Sequence, residues 1–259
     1  MPIARLSSRA LVRVAGPDAR SFLHNLLTQD VETLAPGEAR FGALLSPPGR
    51  LLFDLFLWGE PEAVVLDVAA DRRGDLMRRL SLYRLRARVE IAEDDRPVLV
   101  SWPEAAGGFA PDPRLAALGG RRLGAGSAED AAETDYDAHR LALGVPDPAA
   151  DGGHDRRYPI EADFDLLNGI DFQKGCFIGQ ETTSRMKRRG VIKNRMLPLV
   201  FDGPPPTPGA EVLNGELRAG EVLTGRDGAA MALLRLDRLD GDLTVDGRSV
   251  RVQRPDWLA

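Results

Sequence analysis

The pattern of apolar and polar positions in the first hundred residues predicts a mixture of strands and helices. The sequence LVRV (residues 11–14) alternates as a strand does, whereas the apolar residues of DARSFLHNLLTQDV recur at helical spacing. Three apolar runs follow, with the turn sequences SPPG and GEPE between them, which predicts a strand meander. A second helix is expected with Asp71 as its cap. Because strands and helices do not alternate strictly, we expect an α+β fold.

The character of the sequence changes at about residue 191. Short strand-like runs with Gly and Asp turns, such as GEVLTG, AMALLRL and DLTVDG, predict a small all-β domain of barrel or sandwich type over residues 191–259. The segment 204–208 is expected to be a long hairpin connection inside it. Residues 1–190 then form an α+β region of two interleaved subdomains, with a Gly- and Pro-rich crossing near 96–120.

Composition narrows the class of protein. A chain of 259 residues with 43% hydrophobic and 28% charged residues is typical of a soluble protein of two or three small units. A net charge of -5 argues against general coating of nucleic acid, and the single cysteine cannot form an internal disulfide. We also expect no membrane association, because no run approaches the ~18–20 apolar residues that span a bilayer.

The N-terminus bears on localisation. Arg5, Arg9 and Arg13, with two serines and no acidic residue, resemble an organelle transit peptide in composition. The strand pattern of residues 11–14 argues against that interpretation. We therefore expect a bacterial-type cytoplasmic protein, with the mitochondrial matrix as the alternative.

The sequence KGCFIGQET (residues 174–182) contains the only cysteine. Gly175 and Gly179 suit a tight, irregular backbone, and the following QETTSRMKRRG predicts a helix. Cys176 would then lie just before a helix N-terminus, where the helix dipole and Lys174 favour a thiolate. The alternative is a small apolar residue packed beside its neighbours.

The residue types and their spacing exclude several other kinds of binding site. A phosphate-binding P-loop needs four residues between its glycines, followed by Lys-Ser/Thr, and this sequence has neither. Zinc and self-contained iron–sulfur sites need several thiolates or imidazoles, which Cys176 and the scattered His24, His139 and His154 do not supply. We expect no intrinsic metal, and any cluster held through Cys176 would need ligands from a partner or a second copy.

Asp54 lies in RLLFDLFLW, a predicted strand that is apolar on both faces, with Leu52, Phe56 and Trp58 on its own side. A carboxylate there is costly unless it is paired or faces a ligand. The alternatives are therefore an ion pair, for which Arg50 is a candidate, and a ligand-facing role.

A basic cluster follows the cysteine motif and is crowded into residues 185–195: Arg185, Lys187, Arg188, Arg189, Lys193 and Arg195. Such a cluster is usually a solvated helix end. The functional alternative is a site for an anion, which is the glutamate tail of folate, an RNA phosphate or an acidic partner.

The motif KGCFIGQE resembles the signature K-G-C-aromatic-x-G-Q-E of the folate-binding YgfZ family, whose mitochondrial relatives act in late iron–sulfur protein maturation. Other segments, such as DARSFLHNLLTQDV, ALLSPPGRLLFDLFLW and YPIEADFDLLNGIDFQKGC, are similar to family segments and occur in family order. The resemblance covers nearly the whole chain.

This resemblance implies the fold of the glycine-cleavage T-protein, namely three subdomains in a ring, folate in the central channel and a C-terminal β-barrel. It implies a tetrahydrofolate-binding accessory factor whose partners are iron–sulfur assembly proteins or client iron–sulfur enzymes. Cys176 is the expected functional thiol, tuned by Lys174, and Asp54 is expected to face the folate. The further candidate folate-binding residues are Glu161, Asn25, Gln29, Gln180, Glu181 and Arg185.

One departure concerns catalysis. The T-protein strand equivalent to RLLFDLFLW carries two adjacent acids, whereas here Phe53 occupies the first position and only Asp54 remains. A tetrahydrofolate-dependent aminomethyl or one-carbon transferase is therefore the alternative rather than the main prediction.

Overall fold

The computed structural model describes residues 1–126, 128–152, 155–190 and 192–258. His154 and the two ends of the predicted C-terminal domain, residues 191 and 259, lie outside the described residues. The α-helices of the described residues are α1 (Ala19–Leu26), α2 (Arg73–Arg84), α3 (Glu133–Ala142) and α4 (Gln180–Arg189). Within that part of the chain, no helix has the length and apolar character needed to cross a membrane.

The strands of the same residues are β1 (Ile3–Arg5), β2 (Arg9–Ala15), β3 (Ala39–Leu45), β4 (Leu51–Gly59), β5 (Ala63–Ala69), β6 (Glu90–Asp94), β7 (Val98–Ser101), β8 (Ala110–Pro111), β9 (Gly120–Leu123), β10 (Asn194–Val200), β11 (Glu211–Asn214), β12 (Leu217–Arg226), β13 (Ala229–Arg235), β14 (Leu243–Val245) and β15 (Arg248–Val252). They form a five-stranded sheet in the order β3-β4-β5-β2-β6, a four-stranded sheet in the order β1-β7-β9-β8, and a closed barrel. This mixture confirms the predicted α+β class.

The predicted meander is the centre of the five-stranded sheet. β4 pairs antiparallel with β3 on one side and β5 on the other, and every residue of β4 is buried. A β-bulge opposite Leu45 skips Leu52, which consequently packs with Leu55 and Leu57. The expectation that Leu52 lies on the side of Asp54 was therefore wrong.

The two faces of this sheet pack against different elements. α1 and α2 cover one face, where Phe22 and Leu23 of α1 and Leu76 and Leu80 of α2 join the same apolar cluster. Phe56 on the other face belongs to a cluster that includes residues of the second sheet, of α3 and of the barrel. The three β-structured parts of the chain therefore meet on the side of β4 that carries Phe56.

The beginning of the chain connects the two sheets. β1 pairs with β7 of the four-stranded sheet, with Ile3 opposite Ser101, whereas β2 pairs with β5 and β6 of the five-stranded sheet. Only residues 6–8 separate β1 from β2. The first strand of the chain therefore belongs to the four-stranded sheet, and the second strand belongs to the five-stranded sheet.

The barrel has the strand order β10-β13-β12-β11-β14-β15 and is closed by pairing of β15 with β10. The short strands predicted at GEVLTG, AMALLRL and DLTVDG are confirmed as parts of β12, β13 and β14. The segment 204–208 joins β10 to β11, and these two strands do not pair. It is thus a crossing between non-adjacent strands, and the hairpin prediction was wrong.

Two predictions of helix ends also need correction. Asp71 lies in a short 3-10 helix, Ala70–Arg72, and makes no side-chain cap for α2, which begins at Arg73. α1 ends at Leu26, so Gln29 lies beyond the helix on which we expected it.

Thr28 connects the end of α1 to two other segments. Its Oγ1 accepts a hydrogen bond from the Ala43 N–H (2.8 Å) and donates one to the Gly169 carbonyl (2.7 Å). Its own carbonyl accepts from the Asp171 N–H at 2.9 Å. Because Thr28 is fully buried, water cannot replace these bonds. Thr28 therefore holds the segment leading to Cys176 against β3.

We predict that Thr28→Val lowers the free energy of unfolding by about 1–3 kcal/mol, because it leaves a buried N–H and a buried carbonyl without their partner. Urea titration followed by circular dichroism measures the change. The matched control is Thr207→Val, since Thr207 is exposed in the crossing between β10 and β11. A loss no larger than that of the control would show that Thr28 does not hold these segments together.

Candidate functional site

A cavity of about 250 Å³ lies where the two sheets and α3 meet. β2, β3 and β4 contribute to its walls from the first sheet, and β9 contributes from the second. α3 and residues 147–150 supply most of the remaining surface. Its lining consists of Leu6, Ser8, Arg9, Phe41, Asp54, Phe56, Arg114, Arg121, Glu133, Thr134, Tyr136, Asp137, Arg140, Asp147, Pro148 and Ala150.

Three arginines surround the ring of Phe56 beside this cavity. The guanidinium carbons of Arg121, Arg114 and Arg9 lie 3.7, 4.8 and 5.6 Å from the ring centroid. A guanidinium group over an aromatic face is attracted by the ring quadrupole, more strongly where water is excluded. Phe56 thus provides a surface on which three cations are held close together.

Buried carboxylates compensate these cations. Arg9 binds Asp54 through Nη1 (2.8 Å) and Asp67 through Nε (2.6 Å), and Arg121 Nη2 binds the other oxygen of Asp67 at 2.7 Å. Burial acts to lower the pKa of Arg9, but Asp67 and Asp54 outweigh burial and raise that pKa above its ordinary value. The guanidinium group of Arg9 consequently stays charged in the interior.

Asp112 and Arg114 extend the network on the side of the second sheet. Arg114 Nη2 lies 2.8 Å from Asp112 Oδ2 and donates to the Tyr136 hydroxyl at 3.2 Å. Burial acts to raise the pKa of Asp112, but Arg114 and then Arg121 outweigh it and hold the pKa below the ordinary value. Burial and the neighbouring Asp112 raise the pKa of Tyr136, so its hydroxyl keeps its proton.

Arg121 carries an unsatisfied donor. Its side chain is 2% exposed, and its Nε finds no hydrogen-bond acceptor among the described residues. A buried N–H without a partner costs free energy comparable to a lost hydrogen bond. The ion pair with Asp67 and the contact with the Phe56 ring hold this guanidinium group in place.

Asp54 lines this cavity, but its ion-pair partner differs from our expectation. Asp54 pairs with Arg9, whereas Arg50 lies over the Tyr158 ring at 4.2 Å and donates to the Arg156 carbonyl. Arg50 sits at the turn between β3 and β4, away from the middle of the strand. The proposed Arg50 partner was therefore wrong.

Three other candidate folate residues are hydrogen-bonded to groups of the protein itself. Glu161 accepts from the Tyr158 N–H (2.9 Å) at the start of a 3-10 helix and from Asn194 Nδ2 (2.9 Å). Asn25 donates to the Ser21 carbonyl one turn earlier in α1. Gln29 donates from Nε2 to the Phe41 and Asn168 carbonyls. These three residues do not line the cavity with Asp54.

The cysteine motif forms a separate loop that is fixed against α1. Lys174 Nζ donates to the carbonyls of His24 and of Leu27, the latter at 2.9 Å, and His24 Nε2 lies 3.1 Å from the Lys174 carbonyl. Phe177 is buried in the cluster shared by the two sheets. Cys176, between these two anchors, is exposed. The alternative of a packed apolar cysteine was therefore wrong.

Close backbone contact with the β3–β4 turn fixes the other end of the loop. A Cβ on Gly179 (φ 81°) would lie 2.8 Å from Gly49 Cα, and a Cβ on Gly49 (φ 88°) would lie 3.0 Å from the Thr182 side chain. Both backbone conformations also disfavour L side chains. These two glycines thus allow the loop and the turn to touch.

α4 begins at Gln180 and ends before Gly190, as predicted, which leaves Cys176 four residues ahead of the helix. The field of a helix falls off within about one turn of its end, and Cys176 lies outside the helix that we expected to begin directly after it. Gln180 donates from Nε2 to the Gly175 carbonyl at 2.9 Å. Its role is thus to connect α4 to the loop, and Glu181 is exposed in the first turn.

Some cations of the basic cluster are paired with acidic residues, whereas others are not. Arg195 is buried and pairs with Asp163 (2.5 Å) and Asp165 (3.0 Å), and Lys187 also pairs with Asp165 (3.2 Å). Lys187 therefore holds α4, and Arg195 holds β10, to the residues that follow the 3-10 helix Pro159–Ala162. Arg185, in contrast, lines an open groove.

No group of three or more His, Cys, Asp or Glu residues in the described part of the chain is arranged to hold a metal ion. Among the described residues that line the cavity at Asp54, neither Cys176 nor any other residue of its loop is present. The structure thus places the predicted thiol and the predicted folate-facing acid in two separate sites.

Comparisons with known proteins agree with this architecture. Residues 193–259 match the family model described as the CAF17 C-terminal beta-barrel domain. The human iron-sulfur cluster assembly factor IBA57, mitochondrial, is 32% identical over 98% of this chain and 84% of its own length. The chain belongs to the IBA57 family. The mouse IBA57 protein is 31% identical with the same coverage.

The fold is also that of a solved T-protein. The crystal structure of the glycine cleavage system aminomethyltransferase T from Bartonella henselae matches with a TM-score of 0.79, covering 99% of this chain and 86% of that one, at 16% identity. This match confirms the predicted T-protein-like fold with a C-terminal barrel. Both IBA57 relatives are named as mitochondrial proteins, in line with the alternative localisation rather than the cytoplasmic one.

Sequence reasoning missed most of the cavity of this IBA57-family chain. Arg9 was considered only for its contribution to N-terminal composition, and Arg114 and Arg121 were not singled out. A usable signal existed at Arg121, since it lies in the strand sequence GRRL, where a charged residue at a buried position needs a partner. Pairing could not be read from the sequence, because Arg121 and Asp67 are 54 positions apart.

Lys174 offers a pH test of the loop's attachment. Burial lowers the pKa of Lys174 from its ordinary value of 10.5 to about 8. Between these values the unfolded chain holds a proton that the folded chain has released, so stability rises with pH across this window. We predict that Lys174→Met removes this rise, as measured by urea unfolding at pH 7.5 to 10.5, a range set by the two pKa values.

The control is Lys193→Met, which removes an exposed lysine and should leave the rise of the wild-type protein unchanged. If the Lys174 variant and the wild-type protein show the same pH dependence, the ammonium group of Lys174 is not desolvated against the end of α1.

Proposed function

We propose that this chain assists the assembly or repair of iron–sulfur proteins and that Cys176 is its functional thiol. The observation that carries the proposal is the exposure of Cys176 on a loop whose neighbours on both sides are fixed. Membership of the IBA57 family, whose human and mouse members are named iron-sulfur cluster assembly factors, supports the same class of function.

The geometry favours a shared rather than a self-contained role for this thiol. Iron–sulfur clusters are held by several thiolates, commonly four, and this sequence supplies one. Lys174 and Phe177 hold the loop without covering Cys176. We infer that Cys176 acts together with ligands or thiols of an iron–sulfur assembly protein or of a client iron–sulfur enzyme.

We further propose that the cavity at Asp54 binds the pterin end of tetrahydrofolate, as the resemblance to the folate-binding YgfZ family implies. A pterin edge presents N–H donors beside a carbonyl acceptor, which suits a carboxylate next to a guanidinium group. Asp54 and Arg121 both line the cavity.

The size of the cavity limits this proposal to the head of the cofactor. Its volume of about 250 Å³ is below the roughly 300–1,000 Å³ typical of pockets that enclose a whole drug-sized ligand. The remainder of tetrahydrofolate would therefore extend outside. We restrict the proposed folate site to the lining around Asp54 and do not include Glu161, Asn25, Gln29, Gln180, Glu181 or Arg185.

For the thiol, we predict that Cys176→Ala fails to restore iron–sulfur enzyme activity in a strain lacking its IBA57-family protein, whereas the wild-type chain restores it. The change removes one exposed sulfur atom and no packing contact. The activities of iron–sulfur enzymes in extracts are the measurement, with protein level checked by immunoblot. Full rescue by Cys176→Ala would remove the thiol from the proposal.

For the cavity, we predict that tetrahydrofolate binds to the purified protein and that Asp54→Asn weakens the affinity about tenfold or more, the effect of losing a charged hydrogen-bond acceptor. Isothermal titration calorimetry measures both affinities. Glu161→Gln is the control, because Glu161 lies outside the cavity and the change should leave binding intact. Absence of tetrahydrofolate binding by the wild-type protein would refute the folate site and leave the thiol proposal standing.

A further inference from the structure

An open groove runs along α4 and has cationic side chains and an apolar floor. Its volume is about 620 Å³, and it is lined by Tyr158, Thr182, Arg185, Met186, Arg189 and Lys193. No acidic residue is part of this lining. Among the described residues, Arg185, Arg189 and Lys193 make no ion pair, whereas Lys187 on the same helix is neutralised by Asp165. The groove therefore presents uncompensated positive charge on a chain of net charge -5.

Arginine side chains also line a groove on the barrel, but acidic neighbours neutralise most of their charge. A second groove is lined by Arg157, Asn194, Arg218, Gly220, Glu221, Leu233, Arg235 and Arg238. The two grooves adjoin, because Arg157 precedes Tyr158 and Lys193 precedes Asn194 in the chain. Glu221 in this lining accepts from both Arg157 and Arg218, and Arg235 pairs with Asp237 outside it. The uncompensated charge therefore lies in the α4 groove, and neither groove shares a described lining residue with the Asp54 cavity.

The floor of the α4 groove favours a protein over RNA. Protein–protein contact surfaces are enriched in aromatic residues, Met and Arg at their centre, and Tyr158, Met186, Arg185 and Arg189 are of these types. Binding of single-stranded RNA uses aromatic faces on which bases stack. Here Arg50 lies over the Tyr158 ring at 4.2 Å, which covers the one aromatic ring of the two grooves.

The groove also lies within reach of the cysteine loop. α4 has 10 residues and is thus about 15 Å long. Its first residue, Gln180, is bonded to the Gly175 carbonyl next to Cys176, while Arg185 and Arg189 follow on later turns. A protein surface laid along α4 would therefore extend to the exposed thiol.

We propose that the α4 groove and the adjoining barrel groove form the docking surface for an acidic face of the protein that exchanges iron–sulfur cargo with Cys176. This inference rests on the proposed function of Cys176. Arg185, Arg189 and Lys193 attract and orient the acidic partner, and Met186 in the same lining contacts an apolar side chain of that partner. Charge complementarity of this kind sets association rate and orientation.

The test uses a short fluorescein-labelled peptide of alternating glutamate and leucine as the probe, with an oligouridylate of the same length as competitor probe. We expect the peptide to bind the wild-type chain in fluorescence anisotropy and to lose about tenfold or more in affinity when Arg185→Glu and Arg189→Glu are combined. The matched control is Arg84→Glu with Arg86→Glu, which reverses two exposed arginines at the end of α2 and should keep the wild-type affinity.

Equal loss in both double variants, or no loss in either, would overturn the docking surface. Tighter binding of the oligouridylate than of the peptide would also overturn it, in favour of a nucleic-acid site. In the complementation strain we expect the α4 double variant to lose rescue while iodoacetamide still alkylates Cys176 at the wild-type rate. Full rescue by this variant, together with failure of Cys176→Ala, would refute the docking surface and leave the proposed thiol function intact.

Discussion

The structure depends on a buried network of charges that joins its two sheets. Three arginines and three aspartates from β2, β4, β5, β9 and the loop before β9 pair across the interior beside Phe56. Removing one member of such a network leaves another charge uncompensated, which is strongly destabilising. The network is therefore a constraint on the whole fold, since the two sheets must close in one relative position to neutralise it, and the cavity is the space that remains beside it.

The cavity and the exposed thiol are attached to different parts of the fold. The cavity belongs to the junction of the sheets, whereas the cysteine loop is attached to the outer end of α1 and to the β3–β4 turn. Thr28 is a physical connection between them, because it bonds both β3 and the segment leading to the loop. The two proposed sites are therefore separate in the fold but connected through one buried residue.

Local patterns predicted the elements well and the site only in part. The meander, α4 with its Gly190 end and the strands of the barrel follow from periodicity and turn residues, which act over a few positions. The partners of Asp54, Glu161 and Gln29 depend on contacts between distant segments, which periodicity does not encode. The cysteine motif could be identified from its sequence. The exposure of Cys176 could not, because it depends on the burial of Phe177 in the core and on the bond from Lys174 to the Leu27 carbonyl, 147 positions away.

The first strand has a consequence for how the chain is made. β1 can pair only with β7, whose residues lie almost a hundred positions later, whereas β2 to β6 form a sheet among themselves. During synthesis all strands of the five-stranded sheet are therefore available before β7, the partner of β1, has been made. Contacts of such long sequence separation are slow to form. β7 must therefore be synthesised before β1 can take its place at the edge of the second sheet.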